Sequence, residues 1–335
     1  MVKSAVAESK TLRADGPRGR WALLAPWLAL IPFAGWSVLR LTGWEPKLRW
    51  SQLVSFTPYV AGASLLPLAV AVALRRWRAA LAAAVVSGAL GAAVLPRALP
   101  DGSARIAEGH RLRVLSANLL HGSVPAGAIL DAVRRHRPDV LVMLELTEPM
   151  RDRLVAAGLK RLLPFEVSEA APDAMGSGVF ARQPLEADGP PFGWPRQIPA
   201  RLALPDGGRL SVVAVHACAP SQGWRAGCWA SSIRALPAAE GGTLRVLAGD
   251  FNSTLDHAVL RELIATGYRD AADATGKGLA PTWPYLGQPW FIPKVAIDHV
   301  LADRRIAVDA FTTLSLPGTD HRATLTDLIV PREEP

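Results

Sequence analysis

An apolar run beginning at Leu244 ends in Gly249-Asp250-Phe251-Asn252-Ser253-Thr254, which sets a carboxylate and a carboxamide two residues apart. If the backbone stays extended, side chains repeat with period two and Asp250 and Asn252 point the same way. The same ending recurs along the chain. The run 114–117 leads to Asn118, 140–144 to Glu145, 212–215 to His216, 295–297 to Asp298 and His299, and 316–319 to Asp320 and His321. Burial alone does not select polar groups at such ends. If the ends meet at one rim, their carboxylates need a cation to offset them. Hard oxygen ligands such as Glu145 and Asp320 suit Mg²⁺ or Mn²⁺, which retain waters and bind phosphate. The chemistry implied is attack of water on phosphorus, with a carboxylate to activate the water and histidine to move protons. No Walker loop, HExxH or GxSxG is present.

The elements that must carry these residues alternate after residue 110. Apolar patterning predicts strands at 113–118, 140–145, 177–181, 210–216, 244–250, 296–302 and 323–329. Helices are expected near 125–135, 150–157, 225–236 and 257–265. That mixture implies one or two packed sheets with helices around them.

The first hundred residues differ in kind. They hold 12 Lys and Arg against three Asp and Glu, a balance of +9, whereas residues 101–335 hold 25 against 26, a balance of −1. The basic pI of 10.1 therefore belongs to the amino-terminal third and argues against a nucleic-acid surface on the remainder. Residues 1–20 read as a disordered basic tail. Three charge-free runs follow at 21–39, 53–74 and 79–95. A membrane-spanning helix needs about 20 such residues, and Trp21, Trp36, Trp44, Trp50 and Trp77 sit near the run ends, where indole rings favour the headgroup zone. Residues 100–109 read as a linker to a domain covering 110–331.

Five basic residues in the tail and Arg75, Arg76 and Arg78 between the second and third runs stand against seven on the other side, so the positive-inside bias favours an internal amino terminus and an extracytoplasmic domain. Cys218 and Cys228, ten residues apart, are natural disulfide partners there, with two unrelated thiols as the alternative.

Asn118 in SANLLHG, Glu145 in VLVMLELTEP, GSGVFARQPL, His216 in VVAVHACAP, GDFNST, IDHVLA and GTDHRAT occur in the order and approximate spacing of the endonuclease/exonuclease/phosphatase superfamily. The chain resembles that family over roughly residues 110–331. The resemblance implies an α+β fold, a four-layer α/β/β/α sandwich of two mixed sheets. It implies Glu145 as principal metal ligand, Asp320 as part of the metal shell and Asn118 as a holder of metal-bound phosphate. Asp250 would position or deprotonate water, Asn252 would donate to phosphoryl oxygens, and Asp298 would orient His321 toward the phosphate. His216 matches the position of a general acid for the leaving group in some branches. The three spans resemble the membrane-anchored actinobacterial branch that includes VanJ-type teicoplanin-resistance proteins, which implies a link to glycopeptide resistance.

Arg182 and Lys294 are further candidates for phosphate contact. His110, His121, His136 and His257 lack partners at motif spacing and are expected on the surface or in loops. His299, next to Asp298, points to the opposite face of an extended strand and is expected to be structural. The clusters Gly223-Trp224 with Trp229, and Trp283-Pro284-Tyr285 with Pro289-Trp290-Phe291, are either packing for long loops or a substrate rim. A rim facing the bilayer would suit a lipid-linked phosphate. The leading expectation is a membrane-anchored phosphoesterase acting on a lipid or lipid-linked phosphate. A surface nuclease and a non-catalytic binding or resistance factor are the alternatives, and nothing in the sequence specifies an oligomeric state.

Overall fold

The apolar runs become strands buried on both faces. The computed structural model describes residues 17–45, 48–102, 109–221, 225–239 and 241–332. The tail to residue 16, linker residues 103–108 and Gly223-Trp224 lie outside the described residues. The strands are β1 (His110–Asn118), β2 (Val140–Leu144), β3 (Phe165–Glu169), β4 (Ser177–Ala181), β5 (Leu185–Ala187) and β6 (Ile198–Ala203). They continue with β7 (Arg209–His216), β8 (Leu244–Asp250), β9 (Tyr268–Asp270), β10 (Asp298–Asp303), β11 (Ala307–Ser315) and β12 (Arg322–Val330).

Two six-stranded sheets result, ordered β11-β12-β1-β2-β4-β3 and β5-β6-β7-β8-β10-β9. Each has one parallel pair at its centre, β1 with β2 and β7 with β8, and antiparallel pairs elsewhere. Period two sorts the side chains. Val114, Val142, Val212 and Val246 fill the space between the sheets. Leu115 and Met143 face the helices of the first sheet, and Val213 and Leu247 those of the second.

The helices are α1 (Pro17–Thr42), α2 (Leu48–Leu53), α3 (Thr57–Ala63), α4 (Leu65–Ala73), α5 (Trp77–Val94) and, in the domain, α6 (Ala126–His136), α7 (Glu148–Ala156), α8 (Leu159–Leu162), α9 (Arg225–Arg234), α10 (Ala258–Ala265) and α11 (Ala271–Ala274). Ile129, Leu130 and Val133 of α6, with Met150 and Leu154 of α7, cover the first sheet. Ile233 of α9 and Val259, Leu260 and Leu263 of α10 cover the second. The result is the expected four-layer sandwich.

Three helical stretches, Leu24–Thr42, Arg49–Ala73 and Trp77–Ala98, are long and apolar enough to cross a membrane. The first helix begins at Pro17, so the last four residues assigned to the tail are helical; proline is well tolerated at a first helical position. The second stretch is broken into α2, a 3₁₀ turn, α3 and α4. Pro58 and Pro67 lack the amide that would continue the ladder.

The three apolar stretches are joined to the domain by polar contacts. Asp256 accepts hydrogen bonds from Arg40 Nε at 2.6 Å and from Arg97 Nη1 and Nη2 at 2.8 and 2.7 Å. His257 Nε2 lies 2.7 Å from the Ser51 carbonyl, Gln52 Nε2 donates to the Pro220 carbonyl at 2.7 Å, and Glu45 accepts from the Ala258 amide at the start of α10 at 2.6 Å. His257, expected on the surface or in a loop, is a loop residue but fully buried in this joint.

Candidate active site

Alternation along the strands, not proximity in sequence, assembles the site. Asn118 continues the inward face of Val114; His216 that of Val212 and Ala214; Asp250 that of Val246 and Ala248; Asp298 that of Val300 and Ala302. His216, Asp250 and Asp298 stand side by side across three strands, because His216 pairs with Asp250 and Asp250 with Asp298. His299 points the other way, to Asp270 Oδ2 at 2.7 Å and the Ser253 carbonyl at 2.8 Å, which agrees with a structural role. Burial opposes its charge, but Asp270 overrides this and raises the His299 pKa.

The two sheets close on a cavity of about 530 Å³ lined by Glu145, His216, Asp250, Asn252, Asp320 and His321, with Trp194 and Trp283 at its walls. Asn118 Nδ2 bridges the acids, donating to Glu145 Oε1 at 3.0 Å and Asp250 Oδ2 at 3.2 Å. The His121 amide donates to Glu145 Oε2 at 2.8 Å. His321 Nδ1 meets Asp298 Oδ2 at 2.8 Å, leaving Nε2 3.8 Å from Asp250 Oδ2. Thr319 Oγ1 donates to the Asn118 carbonyl and accepts from the His321 amide, fixing the last motif against the first strand.

Backbone strain collects here. Seven described non-glycine residues have positive φ, and five of them, Leu120, His121, Glu145, Asp173 and Asn252, line this cavity. Asn252, at φ 46°, corrects one expectation: the strand stops at Asp250, so the two residues do not converge through extended backbone. A tight turn brings them together, with the Asn252 amide on Asp250 Oδ1 at 2.8 Å and Asn252 Nδ2 on the Ala217 carbonyl at 2.9 Å. Gly249 precedes it at φ 149°, where a Cβ would run into the carbonyl of Val215.

Charge is poorly balanced. Glu145, Asp250, Asp298 and Asp320 crowd the site, and among the described residues no lysine or arginine lines the cavity. Burial pushes the Asp250 carboxyl up to about 7 against the opposing charge of His321. Burial would lower His321, but Asp298 and then Asp250 raise it to about 10, so it is a cation at neutral pH. Burial lowers the His216 pKa against the opposing charge of Glu145. Asp250, Asp298 and His321 present ligand atoms within 4.8 Å of one another, a possible metal-binding triad. Asp298 Oδ2 is engaged by the charged His321, whereas Glu145 accepts from the neutral Asn118 amide and the His121 backbone, so among the described residues Glu145 and Asp320 are the acids left without a hydrogen-bonded cation. Asp320 Oδ2 accepts from Trp283 Nε1 at 2.8 Å, while its buried Oδ1 has no hydrogen bond. These donors fit Mg²⁺ or Mn²⁺.

Two expected residues lie elsewhere. Arg182 follows β4 at the end that pairs with Val140, opposite the Glu145 end of β2, and its Nε donates to the Pro138 carbonyl at 2.9 Å. The antiparallel pairing of β2 and β4 reverses the direction in which GSGVFARQPL runs, so this arginine cannot touch phosphate at the site. Lys294 does not line the cavity; its Nζ lies 5.2 Å from the Tyr285 ring. Cys218 and Cys228 form the expected disulfide, with Cys218 on the cavity wall. Trp283, whose cluster has a substrate rim as one of its two readings, lies on the cavity wall; His121, expected on the surface or in a loop, also lines the cavity, and only its place three residues after Asn118 in SANLLHG hinted at it.

None of the curated proteins matches the chain. Among solved structures, an endonuclease/exonuclease/phosphatase from Beutenbergia cavernae aligns with TM-score 0.50 and 18% identity, over 66% of this chain and 72% of that one. A D. rerio TDP2 humanised by 14 mutations aligns with TM-score 0.51 and 16% identity, over 65% and 98%. These likenesses concern the fold. The sequence model described as "Endonuclease/Exonuclease/phosphatase family" matches residues 115–321, from the strand before Asn118 to the histidine that Asp298 holds, and the chain belongs to that family.

Proposed function

We propose that the chain is a membrane-anchored, divalent-metal-dependent phosphoester hydrolase that acts on an envelope lipid or lipid-linked phosphate outside the cytoplasm. The observation that carries the hydrolase reading is the excess of carboxylate: the buried Glu145, Asp250 and Asp298 and the half-buried Asp320 stand, among the described residues, against the one charged histidine, His321. Glu145 and Asp320, with Asn118 beside them, would hold Mg²⁺ or Mn²⁺, which supplies charge neutralisation for the phosphate. Asp250 takes a proton from the water whose oxygen attacks phosphorus, and the ester oxygen departs with its bonding pair. His321, oriented by Asp298, donates a charged hydrogen bond to a phosphoryl oxygen. Asn252 holds Asp250 in register and would have to give up its 3.3 Å contact to Asp250 Oδ2 to donate to substrate.

The lipid preference is supported by the apolar stretches of Leu24–Thr42, Arg49–Ala73 and Trp77–Ala98 and by a domain without excess positive charge. A polyanionic nucleic acid would favour the opposite charge balance. The disulfide supports an oxidising compartment. The exposed Arg75, Arg76 and Arg78, at the junction of α4 and α5, support an orientation that puts the domain outside.

The test uses the full chain in detergent with Mg²⁺ and measures release of phosphate or head group from phospholipids, polyprenyl phosphates, nucleotides and DNA. Release from a lipid substrate, abolished by EDTA and by Asp250→Asn, is the expected result. Equal behaviour of wild type and Asp250→Asn on every substrate would overturn the hydrolase reading, and cleavage of DNA alone would replace the lipid by a nucleic acid. A reporter fused after Pro335 that functions only in the cytoplasm would reverse the orientation.

A further inference from the structure

The segment 283–295 connects the site to the anchor. At its base, Trp283 and Val295 exchange backbone hydrogen bonds at 3.0 and 2.7 Å. Trp283 Nε1 donates to Asp320 on the cavity wall, and the Tyr285 amide donates to the Asp320 carbonyl. On its other side, Tyr59 of α3 hydroxyl-bonds the Lys294 backbone twice, donating to the carbonyl at 2.8 Å and accepting from the amide at 3.0 Å. One short loop thus touches both a candidate metal ligand and a membrane-crossing helix.

The height of Tyr59 in the bundle follows from packing. Ser64 and Ser87 are joined Oγ to Oγ at 2.9 Å, which fixes the antiparallel register of the second and third stretches. Tyr59 therefore lies level with the last turn of α5, at the domain end. α5 has 18 residues, about 27 Å long at 1.5 Å per residue, close to the roughly 30 Å of a hydrocarbon core. The loop is held where that core meets the headgroups.

Its tip is apolar and uncovered. Trp290 is 88% exposed, Phe291 65% and Leu286 50%, and residues 283–293 contain no charge. Trp290 and Phe291 stack edge to face at 6.0 Å, presenting one surface. Leu41, Trp44, Leu53 and Leu95, in the segments of the bundle that meet the domain, are exposed as well. We propose that the loop tip at Leu286, Trp290 and Phe291 dips into the bilayer on the domain side and lays the mouth of the catalytic cavity against the leaflet. Aromatic rings are favoured at that depth, and Lys294 at the loop base suits anionic headgroups. Substrate would then enter from the leaflet without leaving it. This contact rests on the anchor crossing the bilayer and not on the hydrolase reading.

The test places an environment-sensitive fluorophore on Phe291→Cys, the native cysteines being paired, in full-length protein in phosphatidylcholine–phosphatidylglycerol vesicles. Val155→Cys, on the helix layer of the other sheet, is the reference. Quenching by a nitroxide lipid is expected for the Phe291 probe and not for the Val155 probe, with iodide giving the reverse order. Equal iodide quenching at both positions overturns the proposal, and so does shielding of the Phe291 probe from both quenchers, which would mean a protein partner. In a second arm, Trp290→Ala/Phe291→Ala should raise KM for a bilayer phosphodiester about tenfold, the scale of losing a large buried apolar side chain. KM for a monomeric short-chain ester should not change, and an equal rise on both substrates would count against the proposal. If wild type hydrolyses neither ester, the hydrolase reading fails while the quenching result still decides the membrane contact.

Discussion

Asp250 ends β8 and Asp256 lies in the loop that follows it; both are buried, and their charges meet opposite treatment. Asp256 has two guanidinium groups on it, one from the end of each outer apolar stretch; burial would raise its pKa, but Arg97 and Arg40 hold it below the usual carboxylate value. Asp250 has other acids around it and a single cation 3.8 Å away, and its carboxyl rises to about 7. The protein completes the first pair from its own chain. It leaves the second without such a counter-charge among its described residues, the imbalance on which the hydrolase proposal rests.

The largest separation between the two is expected in activity. Asp250→Asn should reduce kcat by about 10³-fold, within the 10²–10⁴ range for loss of a positioned acid–base group, while the metal-free fold unfolds no more easily. Asp256→Ala should do the reverse. It leaves Arg40 and Arg97 buried without a counter-charge, a loss of about 3–5 kcal/mol, read as a lower denaturation midpoint of the full chain in detergent. The folded remainder should keep most of its kcat. If Asp256→Ala is silent in unfolding, or Asp250→Asn destabilises the metal-free chain as strongly, the contrast collapses.

The comparison sharpens with pH. Asp250 has a folded pKa near 7, above its unfolded value, so the metal-free fold binds more protons there and loses stability as pH rises from about 4 to 7. His321, raised to about 10, contributes stability that is complete below its unfolded pKa of about 6.5 and is lost as pH climbs toward 10. Asp256 works in the other sense: its stabilisation is present above its unfolded pKa and disappears only in acid, below about pH 4. Denaturation of the metal-free chain at pH 5, 7 and 9 should therefore show falling stability. Asp250→Asn should flatten the 5 to 7 segment by on the order of 1–3 kcal/mol. Mg²⁺ should favour ionised Asp250, raise the midpoint most above pH 7 and release protons on binding below it. A midpoint indifferent to Mg²⁺ would remove the metal from the site.

The half of the comparison that involves Asp250 was legible in the sequence. The strands that carry the site lie inside the sheets and read as unbroken apolar runs; 177–181 and 244–250 match their strands residue for residue. The strands that went unseen are mostly edges: β3, β5, β9 and β11 each end a sheet, and their half-exposed faces carry weaker patterns. β6 is interior but contains Pro199, which reads as a strand breaker. Asp256 was invisible for another reason. Its partners come from 216 and 159 residues away, and no local pattern marks an arginine at the end of an apolar helix as destined for burial. His257 reads as an ordinary loop histidine on the same grounds. Asn252 shows the limit within a motif, since spacing alone does not reveal a left-handed turn.

The smallest effect is expected from an arginine that belongs to neither acid. Arg182 and Arg97 are the same residue type, yet Arg97 is buried on a carboxylate while Arg182 gives one Nε hydrogen bond to the Pro138 carbonyl in a part-buried setting. Arg182→Ala therefore loses a neutral acceptor and some aliphatic packing, about 0.5–1.5 kcal/mol, and should leave kcat and KM within about twofold, since it stands at the far end of the sheet. Arg97→Ala should cost more, because Asp256 then keeps only Arg40 in a dry joint. If Arg182→Ala instead lowers kcat about tenfold, the phosphate reaches the opposite end of the sandwich, and the balance of charge around Asp250 no longer identifies the catalytic centre.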